Sequence, residues 1–194
     1  FFYPIQRQRK NTTCKSINGY ISSGALVCFF ILLQVTSLIS LYLLDHAYLI
    51  EANGLELPEK DLQLIGGLFH VVNDIERIGD HSENIVEYAE YLIEHDLQMS
   101  DKAIDELTHM KNKVMDIVND AIKAMKNEDR ALARMIKEQE TAINEFEEIL
   151  RENHIDRLNK QLCEPSCGVI FLDIVNNLER IGDHADNISR FVLD

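Results

Sequence analysis

One block of sequence occurs twice in this chain, 103 residues apart and without a gap. Residues 73–85 read Asn-Asp-Ile-Glu-Arg-Ile-Gly-Asp-His-Ser-Glu-Asn-Ile, and residues 176–188 read Asn-Asn-Leu-Glu-Arg-Ile-Gly-Asp-His-Ala-Asp-Asn-Ile. A duplication of this length identifies an internal repeat. Core packing alone tolerates exchange among Ile, Leu and Val. It does not require the same carboxylates, Arg and His in both copies, so what is repeated is polar chemistry.

Read as helices, the copies separate into two faces. In the first, Asn73, Glu76, Asp80, Glu83, Asn84 and Glu87 share one side. Val71, Ile75, Ile78, Ser82, Ile85 and Ala89 lie roughly opposite and form the expected core stripe. Glu76 and Asp80 are i and i+4, as are Glu179 and Asp183 in the second copy. Like charges at that spacing repel by a few tenths of a kcal/mol. Arg77 and Arg180 offer local compensation, and a bound cation offers more. The pattern therefore makes Glu76, Asp80, Glu179 and Asp183 candidate metal ligands, with Glu83, Glu87 and Asp186 as further candidates. Clustered carboxylates suit hard or borderline ions such as Mg, Mn, Fe or Zn and do not choose among them. A solvated acidic face is the alternative. Asn73 and Asn176 are placed either to orient the carboxylates or to cap side-chain contacts. His81 and His184 point away from the acidic side, toward a neighbouring helix. Gly79 and Gly182 cost about 1 kcal/mol each in helix propensity, which suggests close approach of another helix.

The balance of 33 Asp+Glu against 19 Lys+Arg argues against nucleic acid as a partner, because phosphates would repel the surface. The four cysteines lack zinc spacing, and Cys163 and Cys167 are expected to be reduced thiols. No nucleophile motif or phosphate loop is present.

Residues 1–44 contain no Asp or Glu, and Gly24–Leu44 carries no charge at all. About 20 apolar residues suffice to span a bilayer, so residues 1–47 form an atypical apolar segment and a candidate transmembrane helix. A buried helix is the alternative. The chain begins at Phe1 rather than Met, which suggests a fragment or processed product. From Asp61 a helix is expected to about His95, with Ser100 as N-cap of the next. That second helix spans Asp101–Met125, with Ile104, Leu107, Val114, Ile117, Ile122 and Met125 inward. A third covers Asp129–Gln161, and a fourth follows the Cys163–Gly168 break. Residues 101–194 thus form a complete three-helix unit whose last helix bears the motif.

Glu-Arg-Ile-Gly-Asp-His on the last helix of such a unit resembles the PhoU family of phosphate-uptake regulators. The Glu/Asp-x-x-x-Asp signature is matched by Glu76–Asp80 and Glu179–Asp183. Residues 151–158 (Arg-Glu-Asn-His-Ile-Asp-Arg-Leu) with 171–179 look like the PhoU-like domain at the C-terminus of bacterial sodium/phosphate cotransporters. The resemblance covers about residues 48–194. It implies an all-α antiparallel bundle built from two three-helix units, the first incomplete here. It also implies multinuclear metal binding through the signature carboxylates, with iron or zinc the usual ions. The implied role is regulation of phosphate transport through a transporter's membrane domain, not enzymatic, at the cell membrane with the helical domain on the cytoplasmic side. Homo-oligomer formation stays open. Against this stand the basic residues before the apolar run, which by the positive-inside rule place the motif outside the cytoplasm. The rival classes are a metal-dependent phosphoesterase and a structural helical interaction module.

Overall fold

The computed structural model describes residues 58–194. Four helices account for nearly all of them: α1 (Glu59–Glu94), α2 (Asp101–Asn127), α3 (Arg130–Asn159) and α4 (Pro165–Leu193). No strand occurs among the described residues, and none of their helices is long and apolar enough to cross a membrane. The expected membrane segment at Gly24–Leu44 lies outside the described residues.

Local chemistry sets the helix ends. The Ser100 hydroxyl accepts a hydrogen bond from the Ala103 amide and starts α2. The Asp129 carboxylate accepts from the amides of Ala131 and Leu132 and starts α3. Pro165 occupies the first turn of α4, where its missing N–H costs nothing. The three connections turn tightly enough to force Asp96, Glu128 and Gln161 into positive φ, at 50°, 51° and 54°.

The helix α4 is the centre. It packs against α1, α2 and α3, and α2 also packs against α3; α1 touches neither α2 nor α3. Cross-helix contacts fix the directions. Gln139 reaches Asp120 and Arg157 reaches Glu106, so α2 and α3 are antiparallel. Lys137 approaches Asp186 and Arg151 reaches Asn176, so α3 and α4 are antiparallel. It follows that α2 and α4 run parallel. The expected core stripe of α1 faces α4: Val71 is in the core, and Ile75, Ile78 and Ile85 pack against it. Phe171, Met110, Ile117, Ile136, Ile143, Leu150 and Val175 are fully buried. Each such side chain is worth roughly 1.5–3 kcal/mol over its exposed state.

One expected core position is wrong. Ile122 is 40% exposed, and Met110, Ala121 and Ala124 line the inner face of α2 instead. Alanines at that seam let α2 and its neighbours approach closely, which turns Ile122 outward. The close approach expected at Gly182 is present: a Cβ there would sit 3.3 Å from Ile143 Cδ1.

Candidate functional site

The repeated motif serves two purposes on two faces of each helix. The first is mutual. The Nδ1 of His81 lies 2.9 Å from Asn177 Oδ1, and Asn84 Nδ2 donates to the same oxygen at 3.1 Å. The Nδ1 of His184 lies 2.8 Å from Asp74 Oδ1, and Asn187 Nδ2 donates to it at 3.2 Å. In the repeat, His81 corresponds to His184, Asn84 to Asn187 and Asp74 to Asn177. Each copy therefore grips the other with the same two side chains, across an approximate two-fold axis. Asn177 Nδ2 donates to Asp173 O, which fixes its amide with the oxygen toward His81. Both partners of the imidazoles are acceptors, so both rings carry a proton on Nδ1. The rings themselves stack at 5.6 Å between centroids. This crossing makes α1 and α4 antiparallel. The expectation that the histidines meet a neighbouring helix holds.

The second purpose is acidic. Glu179 and Asp183 stand one turn apart on α4 and face α3, which presents Glu140 and Glu147. Burial, then the charge of Asp183, then those of Glu147 and Glu140 push the Glu179 carboxyl above its usual range, against the pull of Arg180. Burial and then Glu140 push Asp183 up, against Arg180, His184 and Lys137. The α3 acids are better satisfied. Glu140 is held below the usual range despite burial, because Lys137, Asn144 and Thr141 all donate to it. Glu147 pairs with Arg151, whose guanidinium also donates to Asn176 Oδ1 at 3.1 Å. Arg180 sits 3.7 Å from both Glu179 and Asp183, the local compensation expected from the motif.

The remaining sequence candidates separate. Asp186 is 2% exposed and lies between Lys137, at 3.7 Å, and Arg190. Its Oδ2 is ion-paired on the same face. Glu76, Asp80, Glu83 and Glu87 are exposed on α1, with Arg77 3.5 Å from Asp80. The positions that the repeat would set against them, among residues 1–57, lie outside the described residues. Asn73 is exposed, and Asn176 receives Arg151. Cys163 and Cys167 form no disulfide.

The donor chemistry of the α3–α4 face fits a hard cation. It is all oxygen, its two α4 carboxylates are poorly compensated, and Asp186 Oδ1 and Asn144 Oδ1 are buried with no hydrogen-bond partner among the described residues. The face is not closed around an ion: among the described residues no three His, Cys, Asp or Glu side chains are placed to hold one. Glu140 and Glu147 were missed by motif reading because they lie outside the repeat. Their spacing of seven residues, two turns of one helix face, is the signal that could have found them.

Comparison with known proteins converges on one family. The profile of the PhoU domain matches residues 40–89 and 107–192. The phosphate-specific transport system accessory protein PhoU homolog 1 of Thermotoga maritima is 32% identical over 134 residues, covering 69% of this chain and 57% of that protein. The homologous accessory protein of Pseudomonas putida is 33% identical over 137 residues, covering 69% of this chain and 51% of that protein. The chain thus spans little more than half the length of these relatives. The crystal structure of PhoU from Pseudomonas aeruginosa superposes with a TM-score of 0.78 at 22% identity, covering 91% of this chain and 84% of that one, and shares the fold. The duplicated Glu-Arg-Ile-Gly-Asp-His helix, the three-helix unit around it and these matches together show that the chain belongs to the PhoU domain family.

Proposed function

We propose that this chain is a regulatory module of phosphate transport whose acidic α3–α4 face takes up a metal ion. The observation that carries the reading is the pair Glu179 and Asp183, both held above the usual carboxylate range by burial and by facing acids. Such a pair opposes the fold's stability when ionised, and a bound cation would relieve it. Glu179 and Asp183 would supply the central oxygens, with Glu140 and Glu147 from α3. Glu76 and Asp80 would be the counterpart on α1, flanked by Glu83 and Glu87. Iron or zinc fits by family resemblance, and Mg or Mn by donor type. A bound cation supplies charge neutralisation. The protein's part is to hold the four carboxylates on two antiparallel helices while Lys137, Arg151 and Arg180 share their charge. Occupancy then sets the electrostatic surface that the module offers to the membrane domain of a phosphate transporter. That transporter is a sodium-dependent cotransporter by resemblance of residues 151–158 and 171–179, and the module works at the cytoplasmic face of the cell membrane.

The test is elemental analysis and thermal melting of the full chain, wild type against Glu179→Gln/Asp183→Asn. Metal that co-purifies with wild type, is lost in the variant, and lowers the melting temperature when chelated supports the reading. A wild-type protein that holds no metal and melts identically with chelator defeats it.

A further inference from the structure

The acids that α3 brings to the acidic face are already engaged. Glu140 is held by Lys137 and Glu147 by Arg151, each a cation of the same helix. Lys137 Nζ donates to Glu140 Oε2 at 2.6 Å, and Asn144 Nδ2 donates to Oε1 at 2.7 Å. Both oxygens of this carboxylate therefore have donors. The two cations differ in what else they reach. Arg151 donates to a neutral group on α4, Asn176 Oδ1. Lys137 approaches a second carboxylate there, with Asp186 Oδ2 at 3.7 Å.

Burial decides which of these groups can move. The side chains of Glu140 and Asp186 are 9% and 2% exposed, whereas that of Lys137 is 57% exposed. The carboxylates are fixed in the seam between α3 and α4. The ammonium reaches them from solvent on a flexible stem. A separation of 3.7 Å is an ion-pair distance just beyond a hydrogen bond. Rotation about the last bonds of Lys137 suffices to exchange one partner for the other, and no helix has to shift. An ammonium and a divalent cation on the same oxygen repel strongly at such short range in a site with little water. Glu140 therefore serves one or the other.

We propose that Lys137 is the exchangeable counter-ion of the acidic face: it neutralises Glu140 in the cation-free protein and passes to Asp186 when Glu140 takes a metal ion. The inference rests on the metal-binding reading above and names the residue that sets its affinity. Lys137 weakens binding, because an entering ion must displace it. Asp186 offsets part of that cost, because the displaced ammonium stays paired.

The experiment is a calorimetric titration of the full chain with Mn(II), an ion that suits oxygen donors and leaves the thiols aside. Wild type is compared with Lys137→Met, Asp186→Asn and the double variant. Lys160→Met is the control: it removes the same charge at the end of α3, twenty residues from Glu140 and about 30 Å along the axis. Circular dichroism checks that each chain is helical, and Lys137→Gln replaces Lys137→Met if the latter does not fold. Lys137→Met should bind Mn(II) about tenfold more tightly than wild type, and Lys160→Met should match wild type. Asp186→Asn should weaken binding more in wild type than in Lys137→Met, where there is no ammonium to receive. The general effect of the lost negative charge is common to both backgrounds and cancels in that comparison. Unchanged or weaker binding by Lys137→Met, equal tightening by Lys160→Met, or an equal effect of Asp186→Asn in both backgrounds would overturn the proposal. In each of those cases wild-type binding that Glu179→Gln/Asp183→Asn abolishes leaves the metal reading standing. A wild type that binds no Mn(II) removes the exchange as well.

Discussion

Asp74 and Asn177 occupy equivalent places in the two copies, and each receives a His and an Asn from the other helix. The His184–Asp74 contact is 2.8 Å and the His81–Asn177 contact is 2.9 Å. The two acceptors differ in charge and share a shape. What the clasp needs at this place is one oxygen aimed across the helix crossing, and either side chain supplies it.

Asp74→Asn should therefore keep the clasp and shift unfolding little. Asp74→Leu leaves the Nδ1–H of His184 and one N–H of Asn187 without an acceptor in a partly buried crossing, at about 1–3 kcal/mol. Urea unfolding of the full chain measures both, and equal losses would contradict the shape argument.

Among the described residues the Glu106–Arg157 pair is the most enclosed ion pair between helices, with side chains only 11% and 7% exposed. Removing one partner strands the other. Glu106→Leu should cost about 3–5 kcal/mol, read as a lower urea midpoint. Asn153 Nδ2, which also donates to Glu106, loses its acceptor in the same step. A loss under 1 kcal/mol would mean that water replaces the carboxylate.

The acidic pair gives a pH signature with a definite sign. The folded-state carboxyls of Glu179 and Asp183 lie above their unfolded values. The folded protein then holds more protons than the unfolded chain, so these groups favour folding at low pH and oppose it as pH rises through the folded range. Asp120 and Glu140 are lowered and act in the opposite direction. The difference between wild type and Glu179→Gln/Asp183→Asn isolates the pair. In the presence of chelator the variant should melt higher than wild type at pH 7, and the gap should shrink toward pH 4. A variant that melts lower at pH 7 would contradict the repulsion.

Gly182 tests the contact behind that pair. Its missing Cβ would lie 3.3 Å from Ile143 Cδ1 and 3.5 Å from Cγ2. Gly182→Leu overfills the α3–α4 seam and should cost about 1–3 kcal/mol. Ile143→Ala in the same chain should recover part of the loss, because the removed atoms are the ones struck. Additive losses in the double variant would place the clash elsewhere.

Much of this architecture is legible along the chain because its causes are local. Periodicity gives the helices, and Ser100 and Pro165 mark their starts through hydrogen-bonding groups within one turn. The repeat names Glu76, Asp80, Glu179 and Asp183 without any structure, and the PhoU family with them. Partner choice is another matter, since it depends on which faces meet. Nothing local says that, among the described helices, α1 bypasses α2 and packs on α4, that Ile122 turns outward beside Ala121 and Ala124, or that Lys137 of α3 approaches the buried Asp186. Glu140 and Glu147 look like ordinary helix acids until α3 lies antiparallel to α4 and sets them opposite the motif. His154 and Arg157 stand one turn apart on α3, but their enclosure depends on Phe171 of α4 and Glu106 of α2. Charge pattern and periodicity act within a few residues along the chain; burial and the pairing of a charge depend on neighbours dozens of residues away, and only the packed fold supplies them.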